Sequence, residues 1–354
     1  MIKKFQIENF RGFSSLEIEG CERFNVITGF NNVGKTALLE ALFLHIGPTN
    51  PELPLRLQGF RGIQIVSTSA DSLWSPIFYK FNSEIIISLK SFDQKNRENR
   101  LEIKTAKDME NIGMISEPGA QEGLISSSLS PIDKIELKFV NSEGKIHRSY
   151  AKIDPDGQLK YEHMRASKDT GIFVFSRGRG GQDADAERYS YLDSMGKTGI
   201  ILEILKKIEP RLIRLSVVAS KFGSSIHGDV GIGRLIPIQL LGDGTSRLLT
   251  LALSISALKG GLVLIDEIEN GIHYSIMSEI IDALLALAEK QEVQLFATTH
   301  SEDFLRALRA TATKQDTEKF ALYRLDRSHE QIKSVRYGQN SIIEALEAGW
   351  EIRG

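Results

Sequence analysis

Apolar positions recur with a strand-like period along residues 2–8, at Ile2, Phe5 and Ile7. The pattern breaks at Asn9-Phe10-Arg11-Gly12-Phe13 and resumes at Leu16-Glu17-Ile18, so a hairpin-like pair of strands is expected. A β-prone run then leads to a glycine-containing turn, and residues 35–45 carry the period of a helix. Residues 48–81 hold Pro48, Pro51, Pro54, Gly59 and Gly62 and read as a loop-rich connection with a short apolar element at 63–66. Strand-like runs follow at 84–90, 100–104, 135–140 and 146–153, separated by turns such as Asn141-Ser142-Glu143-Gly144 and Asp154-Pro155-Asp156-Gly157. Residues 107–131 have little periodicity. This stretch predicts an antiparallel β insertion.

From residue 171 the pattern changes character. Gly171-Ile172-Phe173-Val174-Phe175 reads as a buried strand, and 176–188 as a polar loop. A helix is expected over 189–208, stopped by Pro210, with strands at 212–219 and 235–240. An apolar helix over 248–258 precedes strand 262–265, helix 275–290, strand 293–298 and helix 302–311, the alternation of an α/β unit. Strands near 320–325 and 332–336 and a helix over 341–348 close the chain.

Composition changes this picture little. The 354 residues are 41% hydrophobic and 25% charged, an ordinary globular mixture. The formal net charge of −2 gives no bulk support for nucleic-acid binding. Local basic groupings remain as candidates, at Lys95, Arg97, Arg100 and Lys104 and at Arg306, Arg309 and Lys314, although a charge run is more often a solvated face. The lone Cys21 excludes an intramolecular disulfide. Met1-Ile2-Lys3-Lys4 passes into strand-like sequence with no apolar signal region, and no run is long enough to span a bilayer. A soluble cytoplasmic protein without a membrane partner is expected.

The chemistry lies at the ends of the predicted strands. Residues 29–36 satisfy G-x-x-x-x-G-K-[ST], the phosphate-binding P-loop, with a strand before and a helix after. Backbone N–H groups of such a turn, at the positive end of a helix, cradle polyanions. Asn31, Asn32, Val33, Gly34, Lys35, Thr36 and Ala37 are the candidate nucleotide-binding residues, with Lys35 reaching the β- and γ-phosphates. Strand 262–265 ends in Asp266-Glu267, the Walker B pattern. Thr36 and Asp266 are the candidate Mg²⁺ ligands, and Glu267 the general base for the attacking water. Strand 293–298 delivers His300, which in neutral form can hydrogen-bond a γ-phosphate. A lone histidine at a strand end is usually structural, but its spacing after the paired acids favours a catalytic role. Gly242-Asp243-Gly244 opens the helix that continues through 248–258, where Asp243 or Thr245 can serve as N-cap.

In this order the residues resemble the ABC-type ATPase family, in its non-transporter branch. Ile7-Glu8-Asn9-Phe10-Arg11-Gly12-Phe13 is similar to the first strands of RecF, SMC and OLD-type ATPases. Gly242-Asp243-Gly244 and Asp266-Glu267-Ile268-Glu269-Asn270-Gly271-Ile272-His273 resemble the OLD-like subgroup most. The resemblance spans essentially the whole chain. It implies an α/β P-loop NTPase of ABC-ATPase type with an antiparallel β-rich lobe inserted after the P-loop helix. Residues 1–47 and 171–354 would form the ATPase core and 48–170 the lobe.

The resemblance also implies ATP and Mg²⁺ as cofactors and a head-to-tail homodimer, or higher oligomer, with ATP at its interface. Gly242, Asp243 and Gly244 of one copy would face the γ-phosphate held by the other. The signature departs from L-S-G-G-Q: Leu241 stands where the serine belongs and Asp243 on the second glycine. A leucine donates no hydrogen bond and an aspartate repels phosphate, so slow turnover is consistent with this helix. The chain ends soon after the ATPase core, where OLD nucleases carry a Toprim domain, so nuclease activity is expected of a separate effector protein. The function implied is an ATPase that dimerises on ATP and gates that effector, or a nucleic-acid transaction, in DNA repair or anti-phage defence. The alternative is the nucleotide-binding subunit of an ABC transporter. A GTPase is disfavoured because no Asn-Lys-x-Asp motif is present.

Overall fold

The computed structural model describes residues 1–61, 73–106, 134–153, 159–162, 170–176, 182–221, 223–329 and 331–348. The apolar element expected at 63–66, the aperiodic segment 107–131 and the turn 154–157 lie outside the described residues. Among the described residues no helix is long and apolar enough to cross a membrane.

A six-stranded sheet carries the core. Its strands are β3 (Phe24–Gly29), β9 (Gly171–Val174), β13 (Leu262–Ile265), β14 (Gln294–Thr298), β15 (Phe320–Ser328) and β16 (Gln331–Gly338). They run in the order β16-β15-β3-β14-β13-β9, parallel except for the β15–β16 hairpin. Every residue of β3, β13 and β14 is buried, which is why these strands read as continuous apolar runs. Helices α5 (Asp243–Ser256), α6 (Met277–Lys290), α7 (Glu302–Ala312) and α8 (Gln339–Glu347) supply one hydrophobic core against this sheet. Helix α1 (Lys35–Ile46) belongs to a second core on the other side, where an antiparallel sheet covers it.

That second sheet has seven strands in the order β2-β1-β4-β5-β6-β7-β8. It joins β1 (Ile2–Phe10) and β2 (Phe13–Glu19) to β4 (Ile87–Asp93), β5 (Glu98–Ala106), β6 (Lys134–Val140), β7 (Ile146–Ile153) and β8 (Leu159–Glu162). Hydrogen bonding between β1 and β4 therefore runs across the 47/48 boundary read from the sequence. Packed between two sheets, α1 buries Leu38, Leu39, Leu42, Leu44 and Ile46, which explains an apolar run with little amphipathic contrast. Each such leucine contributes about 1.5–3 kcal/mol.

Four local expectations are corrected. The helix expected over 189–208 is two, α3 (Gln182–Ser194) and α4 (Gly199–Leu205). They part at Gly196, whose φ is 66°, while the Lys197 N–H returns to the Leu192 carbonyl. Helix α3 also begins inside the expected polar loop, because acidic residues Asp183 and Asp185 suit a helix's first turn. The loop-rich connection contains helix α2 (Leu53–Phe60), with Pro54 in its first turn where a missing N–H costs nothing. Finally, β8 and β11 (Gly223–Asp229) were not expected. β11 lies between β10 (Arg214–Ser220) and β12 (Leu235–Pro237), and pairing compensates for its polar sequence.

Candidate functional site

Three parallel strands end at one place. After β3, the turn 29–34 wraps to the start of α1, and Gly34 caps that helix with φ 108°. A Cβ at Gly34 would lie 2.8 Å from the Phe13 ring, so both the angle and the close approach require glycine. Lys35 Nζ donates to the carbonyls of Gly29 and Phe30, at 2.7 and 3.0 Å. Burial pushes the Lys35 ammonium below its ordinary pKa, while the negative charges of Asp266, Glu269 and Glu267 oppose that shift. One lysine thus sits over the loop with three carboxylates behind it.

Asp266, at the end of β13, is the hub. Its Oδ1 accepts from the Thr36 hydroxyl at 3.0 Å and from the Thr298 hydroxyl at 2.7 Å. Its Oδ2 accepts from Ser176 Oγ at 3.2 Å, just past β9. Arg247, one turn into α5, donates through Nη1 to the Phe175 carbonyl (2.7 Å) and through Nη2 to that of Asp266 (2.6 Å). Burial lowers the pKa of the Arg247 guanidinium, against the attraction of Asp266, Glu267 and Glu269. Hydroxyl and carboxylate oxygens are the donors that magnesium prefers, so Thr36 and Asp266 fit that ion.

The neighbouring acids take different environments. Glu267 has φ 49°, a left-handed conformation. Its N–H donates to Thr298 Oγ1 at 2.8 Å, and its Oε2 accepts from Asn270 Nδ2 at 2.7 Å. Glu269 is buried and its Oε1 faces both the backbone N–H of His300 (3.1 Å) and His300 Nδ1 (3.2 Å). The His300 ring is half exposed. A proton on Nδ1 directed at Glu269 leaves Nε2 as the acceptor nitrogen of the ring. The structure thus brings Lys35, Thr36, Asp266, Glu267 and His300 just past the C-terminal ends of the neighbouring strands β3, β13 and β14.

The residues 242–244 begin the helix that carries Arg247. Gly242, with φ 120°, is the N-cap of α5, a correction to the expectation that Asp243 or Thr245 would cap it. Asp243 is the first helical residue, and the Thr245 side chain turns back to the Leu241 carbonyl at 3.5 Å. Gly244 lies against Gly271: a Cβ there would come within 2.2 Å of the Gly271 oxygen. The first turn of α5 and the loop after Glu269 therefore pack as one unit. Asn31, Asn32, Val33 and Ala37 complete the loop and the first turn of α1, with Asn32 at φ 60°.

Sequence reasoning did not single out Thr298 or the amide of Asn270, and it missed a buried cluster next to the loop. Glu40 of α1, 1% exposed, pairs with Arg11 (2.6 Å) from the β1–β2 turn and Arg61 (2.7 Å) past α2. Arg61 is also within the electrostatic reach of Asp266. A single glutamate on the P-loop helix carries no periodic signal; only the fold shows its partners. Three of the basic residues singled out on the insertion are ion-paired: Arg97 with Asp93, Arg100 with Glu98 and Glu102, and Lys104 with Glu136. Arg306 pairs with Glu302, and Lys314 with Asp282.

Residues 24–307, from β3 into α7, match the family model described as "AAA domain, putative AbiEii toxin, Type IV TA system". An ATP/GTP phosphatase of Helicobacter pylori is 25% identical over 96% of both chains. A DNA double-strand break repair Rad50 ATPase of Methanopyrus kandleri is 50% identical over 48 residues, which is 14% of this chain and 6% of that one. Among solved structures, an SMC head bound to the C-terminal winged-helix domain of ScpA superposes with a TM-score of 0.51 at 12% identity, over 98% of this chain and 99% of that one.

Proposed function

We propose a nucleotide-driven switch for this chain, which belongs to the AAA-domain family of that description and is a P-loop ATPase of the RecF and SMC-head type. In this reading residues 31–37 hold the phosphates of ATP, and Lys35 exchanges the Gly29 and Phe30 carbonyls for phosphate oxygens. Thr36 and Asp266 hold magnesium, which when bound neutralises charge on the triphosphate. Glu267 takes a proton from the attacking water, and His300, its Nδ1 proton directed at Glu269, positions that water through Nε2. The observation that carries the reading is the meeting of the Thr36 and Thr298 hydroxyls on Asp266 Oδ1, which joins the P-loop to the Walker B strand end.

We place the ATP cycle upstream of a homodimer in which Gly242, Asp243 and Gly244 face the partner's nucleotide, and that dimer gates a separate effector. The family description, which names a toxin–antitoxin system, supports an effector in defence. The repair ATPase among the relatives supports a nucleic-acid transaction, and a nuclease would serve either.

Hydrolysis and binding assays on two variants test the site. Lys35→Ala should lose nucleotide binding by at least tenfold, whereas Glu267→Gln should bind ATP normally and lose nearly all turnover. Parental turnover in Glu267→Gln would remove Glu267 from the role of base.

A further inference from the structure

Thr298 is fully buried at the end of β14, two residues before His300, and its hydroxyl makes two bonds of opposite sense. It donates its proton to Asp266 Oδ1 at 2.7 Å and accepts the backbone N–H of Glu267 at 2.8 Å. A hydroxyl carries one proton and two lone pairs, so both bonds can exist together only in this arrangement. The proton given to Asp266 fixes the hydroxyl rotor, which turns a lone pair toward Glu267.

We infer that Thr298 is a positioning residue that sets the metal-binding carboxylate and the general base from a single oxygen. The inference rests on the ATPase reading above. Thr298 is buried and acts through its two neighbours, Asp266 and Glu267. Asp266 Oδ1 is also the acceptor of Thr36, so the Thr298 bond selects which carboxylate rotamer Thr36 meets. Glu267 is the residue that leaves the strand in the left-handed region, at φ 49°. Its N–H would otherwise be a donor without a strand partner, since the sheet pairing of β13 with β14 ends at Ile265 and Ala297. The next backbone bond, from the Ile268 N–H to the Thr298 carbonyl at 3.1 Å, anchors the same turn to the same residue. Thr298 therefore holds the turn by its backbone, and its hydroxyl fixes the Asp266 carboxylate and the backbone of Glu267. The division predicts that loss of the hydroxyl alone changes chemistry more than it changes folding.

The test compares Thr298→Val and Thr298→Ser in the full chain. Valine keeps the volume and the backbone bond and deletes both hydroxyl bonds; serine restores them. Turnover in Thr298→Val should fall by about 10- to 100-fold, the range typical of partners that orient metal ligands. KM for ATP should change little. The magnesium concentration for half-maximal binding of a fluorescent ATP analogue should rise severalfold, and the melting temperature of the nucleotide-free protein should move little. Thr298→Ser should return turnover and the magnesium midpoint to within about threefold of the parent. Parental turnover and midpoint in the valine variant, or a serine variant as impaired as valine, would overturn the inference. Should valine not fold, Thr298→Ala deletes the hydroxyl without setting a methyl against Asp266, and the same comparison with serine applies. Lys35→Ala and Glu267→Gln, run alongside, separate the two failures: if they keep hydrolysing, the ATPase site is misassigned; if they stop while Thr298→Val does not, only the role of Thr298 falls.

Discussion

A single residue shows how burial sets chemistry in this molecule. His45 lies on α1, fully enclosed between the sheets, with Nε2 at 2.8 Å from Ser91 Oγ and its ring edge-on to Phe5. Burial pulls its pKa from 6.5 down to about 4. The folded chain therefore keeps His45 neutral where the unfolded chain binds a proton, and stability falls as the pH drops from about 6.5 toward 4. By pH 5 the loss from this residue is about 2 kcal/mol. Urea unfolding at pH 7 and pH 5 should show this loss in the parent and its absence in His45→Phe. An equal pH slope in both would assign the acid sensitivity elsewhere. The candidate site residues are also set by their surroundings. Lysine, threonine and paired acids were legible in the sequence because the spacing of the P-loop and Walker B strand is local. The bonds from Thr298 to Asp266 and from Glu269 to His300 depend on strands far apart in sequence.

Elements differ in how much of themselves they announce. Strands β3, β13 and β14 and helices α6 and α7 follow their apolar pattern closely, since each is buried on one face or two. Strand β11 does not, because its sequence Gly-Ser-Ser-Ile-His-Gly-Asp buries only Ile226 and Gly228 and takes its order from β10 and from Asp183, which accepts the Ser224 N–H. Helix α3 buries Asp185, Ala186, Tyr189 and Leu192, a stripe too narrow to stand out among polar residues. Two joints between elements are testable. Glu40 ties α1 to the β1–β2 turn and to the end of α2 through Arg11 and Arg61. Glu40→Ala leaves Arg11 buried without its partner and should cost about 3–5 kcal/mol in denaturant titration. A loss below about 1 kcal/mol would mean that water reaches the site. The contact of Gly244 with Gly271 makes the start of α5 intolerant of a side chain. Gly244→Ala should lower stability by about 1–3 kcal/mol through overpacking. Thermal unfolding measures it, and an unchanged melting temperature would show that the joint opens freely.

At the scale of the whole molecule, α1 is gripped between a parallel sheet that ends in carboxylates and an antiparallel sheet built from both sides of the 47/48 boundary. A change at the P-loop therefore has two sheets to act on. The acidic and basic residues of the outer sheet largely neutralise each other, which agrees with the net charge of −2. Association through this face would gain little from long-range attraction. The proposed dimer instead depends on nucleotide. Light scattering should give Glu267→Gln twice the monomer mass with Mg·ATP and the monomer mass without it, while Lys35→Ala stays monomeric in both. A monomer throughout would remove the dimer from the cycle.

The amino-acid order alone determined that a phosphate loop precedes a helix, that two acids end an apolar strand, and that these belong to one α/β core. Those features are encoded in contiguous residues, whose period and glycine spacing act over a few ångströms. Only the tertiary structure decided that Thr36, Ser176 and Thr298 converge on Asp266, that Glu269 faces His300, and that two arginines share Glu40. Each of those contacts joins segments brought together by strand order, and strand order follows from how the two cores bury their surfaces rather than from any local pattern.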